Sequence, residues 1–130
     1  MPAPDPGHEP HAGELNAAIS NAVVALLSEY TGRGPTKAQT TVRQNMVVVL
    51  LHDTLTKGER ALVNSGREAK VLELRHEFQR AMEDDAIKAV ARLTGRKVTA
   101  FMSANHIDPD LAAEMFVLDG RGDADPVLQP

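Results

Sequence analysis

Apolar residues recur at helical spacing near the start of the chain. Leu15, Ile19, Val23, Leu26, Leu27 and Tyr30 fall on one face of a helix, and Gly32 follows them as a stop. A glycine there takes the left-handed conformation that satisfies the last helical carbonyls, and Gly34-Pro35 prevents the helix from resuming. The pattern then becomes β-branched. Thr40, Thr41 and Val42 predict a strand, Gln44-Asn45 a turn, and Met46 to Leu51 a buried second strand, together a hairpin. Thr56-Lys57-Gly58-Glu59 has the spacing of a capping box, so a short helix starts at Lys57 and ends or bends at Ser65-Gly66.

From Arg67 to Leu93 there is no Gly or Pro, and Val71, Leu74, Phe78, Met82, Ala86, Ala89 and Leu93 recur every three or four residues. This predicts one long helix of about 40 Å at ~1.5 Å per residue, longer than one domain of this mass requires. Part of it is expected at the interface of a homodimer. Its charged residues balance in sign and lie mostly off the apolar stripe, which reads as a solvated face. Gly95 ends the helix, Val98 to Met102 predict a strand, Asn105 to Asp110 a turn, and Met115 to Leu118 the last strand.

The order α-β-β-α-α-β-β predicts an α+β sandwich: a small, four-stranded, mainly antiparallel sheet with helices on one face. A short internal repeat crosses it. Leu27 to Arg33 lies over Val90 to Arg96, so each half reads helix, Thr-Gly-Arg, then two strands. Residues 1–12, with Pro2, Pro4, Pro6 and Pro10, are expected to form a disordered Pro-rich tail, and residues 120–130 a disordered acidic one. A single domain over 13–119 remains.

Composition narrows the functional classes. With 130 residues, 42% hydrophobic and 25% charged, the chain has the make-up of one ordinary globular domain. The absence of cysteine excludes disulfides, thiol catalysis and Cys-ligated metal. The longest apolar run, Met46 to Leu51, is far short of the ~20 residues that span a bilayer, so a cytoplasmic protein without direct membrane insertion is expected. A net charge of −4 argues against nucleic acid as a partner.

Two segments carry candidate chemistry. Arg33, Lys37 and Arg43 place three cations around paired glycines with no acid nearby, and the repeat adds Arg96 and Lys97; together they form a candidate anion or partner patch. The P-loop order is absent, since the glycines follow a helix and precede a strand, and a helix stop with a solvated basic loop accounts for the same residues. Asn105, His106 and Asp108 form a candidate polar loop, where Asx turns are the competing explanation. His52, His76 and His106 are isolated from one another, Glu83-Asp84-Asp85 points around a helix, and Ser28 and Ser103 lack a nucleophile elbow. No enzymatic activity, metal or cofactor is expected.

Taken in order, Thr31-Gly32-Arg33-Gly34-Pro35, the valine-rich strand, Leu55-Thr56-Lys57-Gly58-Glu59-Arg60-Ala61-Leu62, Leu93-Thr94-Gly95-Arg96-Lys97-Val98 and Met115-Phe116-Val117-Leu118 resemble a family of small bacterial proteins. That family, formerly a domain of unknown function, is labelled the MpsC domain of a Na+-translocating, membrane-potential-generating system. The resemblance covers about residues 14–119. It implies a link to Na+ or bicarbonate transport and a membrane transporter subunit as partner, with this chain an accessory or regulator, peripheral at the inner face of the membrane. The alternative is a sensor that binds an anionic metabolite or nucleotide at Arg33, Lys37, Arg43 and Arg96.

Overall fold

A computed structural model of the protein describes residues 9–120; most of the two expected tails lies outside them. The elements are α1 (Glu9–Thr31), β1 (Lys37–Arg43), β2 (Met46–His52), α2 (Lys57–Asn64), α3 (Glu68–Thr94), β3 (Val98–His106) and β4 (Leu111–Leu118). This is the α+β order read from the sequence. The strands pair antiparallel as β1-β2-β4-β3.

Element ends differ from the expectation in two places that matter. Helix α1 begins at Glu9 rather than near 13. Pro10 then lies in the first turn, where its missing N–H forfeits no helical bond. Asn105 and His106 belong to β3 rather than to a loop, because β3 stays paired with β4 as far as His106 opposite Leu111. Ladder pairing outweighs the low strand propensity of asparagine here.

Helices α1 and α3 cover one face of the sheet. Ile19, Val23 and Leu27 of α1 and Met82, Ala86 and Val90 of α3 pack on Val47, Val49 and Leu51 of β2 and on Ala112, Phe116 and Leu118 of β4. The inward positions of β4 alternate strictly with outward ones. The outward positions of the central strands are also apolar: Val48, Leu50, Ala113, Met115 and Val117 are only half-buried, and Met46 of β2 and Met102 of the edge strand β3 are 49% and 50% exposed.

The internal repeat is structural. Gly32 and Gly95 both take positive φ, +81° and +70°, and each donates its N–H to the carbonyl four residues back. Thr31 Oγ1 donates to Leu27 O and Thr94 Oγ1 to Val90 O, both at 2.7 Å, and each threonine hydroxyl accepts from the following arginine N–H. Arg33 then reaches Asp53, just past β2, and Arg96 reaches Asp119, just past β4. Two αββ units thus stop their helices and clasp their hairpins in the same way.

The capping box at α2 forms as read: Thr56 Oγ1 accepts from Glu59 N at 3.1 Å, and Glu59 Oε1 accepts from Thr56 N at 2.8 Å. Thr56→Ala is expected to cost about 1 kcal/mol. In thermal unfolding this appears as a melting temperature lowered by a few degrees; an unchanged melting temperature would mean that the cap contributes nothing.

Candidate functional site

The inward face of the N-terminal half of α3 carries two polar side chains among apolar ones. Val71, Arg75, Gln79 and Met82 occupy its buried positions, whereas Leu74 is 39% exposed and Phe78 half-buried. The expectation that the helix charges are solvated therefore fails at Arg75, whose side chain is 1% exposed. The reason is a buried counter-ion on the neighbouring helix. Arg75 Nη1 lies 3.5 Å from both Glu59 Oε1 and the Thr54 carbonyl. Arg75 Nε and Nη2 and Glu59 Oε2 make no hydrogen bond to any described residue.

One helical turn further, Gln79 joins the same polar seam. Its Nε2 donates to Asn105 Oδ1 and to Glu114 Oε2, both at 3.0 Å, while Asn105 Nδ2 returns a bond to Gln79 Oε1 at 2.8 Å. Ser103 Oγ donates to the other Glu114 oxygen. Glu114 is fully buried in the middle of β4, opposite Val49 of β2. Burial pushes its carboxyl up to about 7, although the bonds from Ser103 and Gln79 and the charge of Arg75 pull the other way.

The seam reaches the surface at both ends. Toward α2, the Asp110 carboxylate accepts from Thr54 N, Thr54 Oγ1 and Leu55 N at 3.0, 3.0 and 2.9 Å, and from Arg60 Nη2 at 3.1 Å. Arg60 also pairs with Asp53, which in turn holds Arg33. Beside them lies a shallow pocket of about 250 Å³ between α2 and the β3–β4 turn, with Arg60, Asp108 and Asp110 on its wall. At the other end, Gln79 and Ser103 line a second pocket of about 220 Å³, with His76, Arg80 and Glu83 at its rim.

The residues singled out from sequence are dispersed. Arg33 Nη2 is committed to Asp53 Oδ2 at 2.7 Å, and Arg96 donates to the Gln44 and Asp119 carbonyls at 3.0 and 2.6 Å. Lys37 and Arg43 stand at opposite ends of β1, and Lys97 is exposed ahead of β3. The five cations do not converge. In the second candidate group, Asn105 enters the seam, His106 Nδ1 donates to the Pro109 carbonyl at 2.8 Å, and Asp108 borders the first pocket. Sequence reading missed Asp53, Glu59, Arg60, Arg75, Gln79 and Glu114 as members of a network. The available signal was spacing: Arg75 and Gln79 follow Val71 at successive intervals of four.

Among the described residues no group of three or more His, Cys, Asp or Glu is placed to hold a metal ion. What the arrangement offers chemically is a buried carboxyl that exchanges its proton near neutral pH, tied through Gln79 to the helix that also carries a buried arginine. Fold and seam together define a two-layer α+β protein of paired αββ units, with no described helix long and apolar enough to cross a membrane. Residues 11–120 match the family model for the Na+-translocating membrane potential-generating system (MpsC), and the chain belongs to that family. Comparison with curated proteins and with solved structures gives no match.

Proposed function

We propose that this protein is a non-enzymatic accessory or regulatory component of a Na+-translocating, membrane-potential-generating system, acting from the cytoplasmic side on subunits that form the ion path. The observation that carries this reading is the family match, which extends over nearly all of the described chain. A second feature agrees with it. No described helix is long and apolar enough to cross a membrane, and in the proposed role a part in ion movement runs through contact with other subunits.

The test is physiological. Cells lacking this chain are expected to show an altered Na+-dependent membrane potential, read with a potential-sensitive dye, and a plasmid copy restores it. A potential that tracks the parent strain across Na+ concentrations would remove the assignment.

A further inference from the structure

The outward face of the sheet forms a grid of four rows set by the strand register. Arg43, Met46, Val117 and Ala100 share one row; Thr41, Val48, Met115 and Met102 the next; Gln39, Leu50, Ala113 and Ala104 the third; Lys37, His52, Leu111 and His106 the last. No Asp or Glu stands on this grid, in a chain whose net charge is −4. Its centre is apolar, and Met46 and Met102 are half exposed. An apolar face of this kind, bordered by polar residues along β1 and in the last row, marks an interaction surface.

We infer that this face is the interface with a second copy of the chain, related by a two-fold axis parallel to the strands and passing between β2 and β4. Such an axis leaves height along the strands unchanged, so each row meets the same row of the partner in reverse order, and no register remains to be chosen. The consequence is size complementarity at four of the eight pairs, while Met46 over the partner's Val117, Val48 over the partner's Met115, His52 over the partner's Leu111 and Lys37 over the partner's His106 set large residues together. Arg43 meets the partner's Ala100, Gln39 the partner's Ala104 and Thr41 the partner's Met102 at the sides. Leu50 meets the partner's Ala113 and Val48 the partner's Met115 at the centre. At Arg43, Gln39, Thr41 and Leu50 a long residue lies over a short one or the reverse, which favours interdigitation of two sheets ~10 Å apart.

Electrostatics selects the same axis. A two-fold perpendicular to the strands stacks β1 on its copy and sets Lys37 against the partner's Arg43 at a sheet separation of ~10 Å. The parallel axis puts the two β1 strands on opposite edges, about 17 Å apart from three strand spacings and one sheet separation, beyond a screening length of ~8 Å. The Lys37 and Arg43 stems then cover apolar surface while their charges reach solvent. Size is adequate as well. Four strands ~4.8 Å apart and seven residues long give a footprint of about 450 Å² per copy, and upstanding side chains carry the total past the ~1,000 Å² of a biological interface.

This inference is independent of the transport context, so it stands or falls on purified protein. Sedimentation equilibrium of the full chain at micromolar concentration is expected to give twice the 14.0 kDa chain mass. Met46→Glu and Met102→Glu, both at half-exposed sites, are expected to give the single-chain mass with an unchanged far-UV circular dichroism spectrum. Leu74→Glu, on the exposed side of α3, is expected to remain dimeric. Geometry is read by cross-linking, because the chain has no cysteine. Thr41→Cys and Met102→Cys proteins are expected to join through a short bis-maleimide when mixed and allowed to exchange subunits, and not when each is treated alone. A monomeric wild type would overturn the inference, as would a dimer that survives both glutamates or dissolves with Leu74→Glu. So would self-cross-linking of either cysteine protein alone, or failure of the mixture to cross-link. A monomer that cosediments with phosphatidylglycerol vesicles through Met102 would assign the face to lipid instead.

Discussion

Arg75→Ala is expected to lower the free energy of unfolding by about 3–5 kcal/mol, a large share of the ~5–15 kcal/mol that holds a domain together. The loss comes less from the removed contact, which is long at 3.5 Å, than from what remains. Glu59 would stay 2% exposed with no cation beside it. Pairing the substitution with Glu59→Gln tests that cause, because a glutamine Oε1 still accepts from Thr56 N and preserves the cap. The double variant Glu59→Gln/Arg75→Met is expected to recover much of the loss in urea unfolding, since both buried charges and the two unpartnered arginine nitrogens disappear together. Additive losses would show that the charges do not act on each other. A loss below about 1 kcal/mol for Arg75→Ala would mean that the seam is solvated.

Stability should also fall as pH rises toward neutrality. Glu114 holds its proton more tightly in the folded chain, with a value of about 7, than in the unfolded one near 4.5. Between those values the folded state therefore binds more protons, so stability is fully present below about pH 4.5 and is lost as pH rises to about 7. The span amounts to about 3 kcal/mol, and the curve levels above it. Denaturant midpoints across that pH range measure the slope, after the contribution of the other carboxylates is fixed with Glu114→Gln. That variant keeps a hydrogen-bonding amide between Ser103 and Gln79 and should lack the Glu114 component. Identical pH profiles for the two proteins would place the Glu114 titration outside this range.

The seven elements and their order were legible because each boundary carries its own chemistry. Gly32 and Gly95 stop helices at positive φ, and Thr56 with Glu59 starts one. The family resemblance rested on those same punctuation residues, and the match over 11–120 agrees with it. The seam was illegible for a physical reason. Hydrophobic periodicity follows apolar residues, so along α3 it passed through Leu74 and Phe78 and stepped around Arg75 and Gln79, which hold the buried positions. In β4 the difficulty was symmetric. Ala113, Met115 and Val117 are as apolar as Ala112, Phe116 and Leu118, so alternation could not orient the strand, and Glu114 fell outside it because the expected strand began at Met115 whereas β4 begins at Leu111. A sheet apolar on both faces conceals its carboxyl on one side and its interface on the other.

That arrangement would give the proposed accessory role a physical form. The helix-covered side holds an ionisable seam that opens at two shallow pockets, and the bare side is free for assembly. Burial raises the Glu114 carboxyl toward neutrality, which in the proposed role would let the seam follow proton activity.

The most direct measurement is cross-linked affinity capture of the tagged chain from native cells, with membrane and soluble fractions analysed separately. Specific recovery of an integral Na+-translocating subunit in the membrane fraction, lost without cross-linking to an untagged control, is the predicted result. Recovery of this chain alone, confined to the soluble fraction, would contradict the accessory assignment.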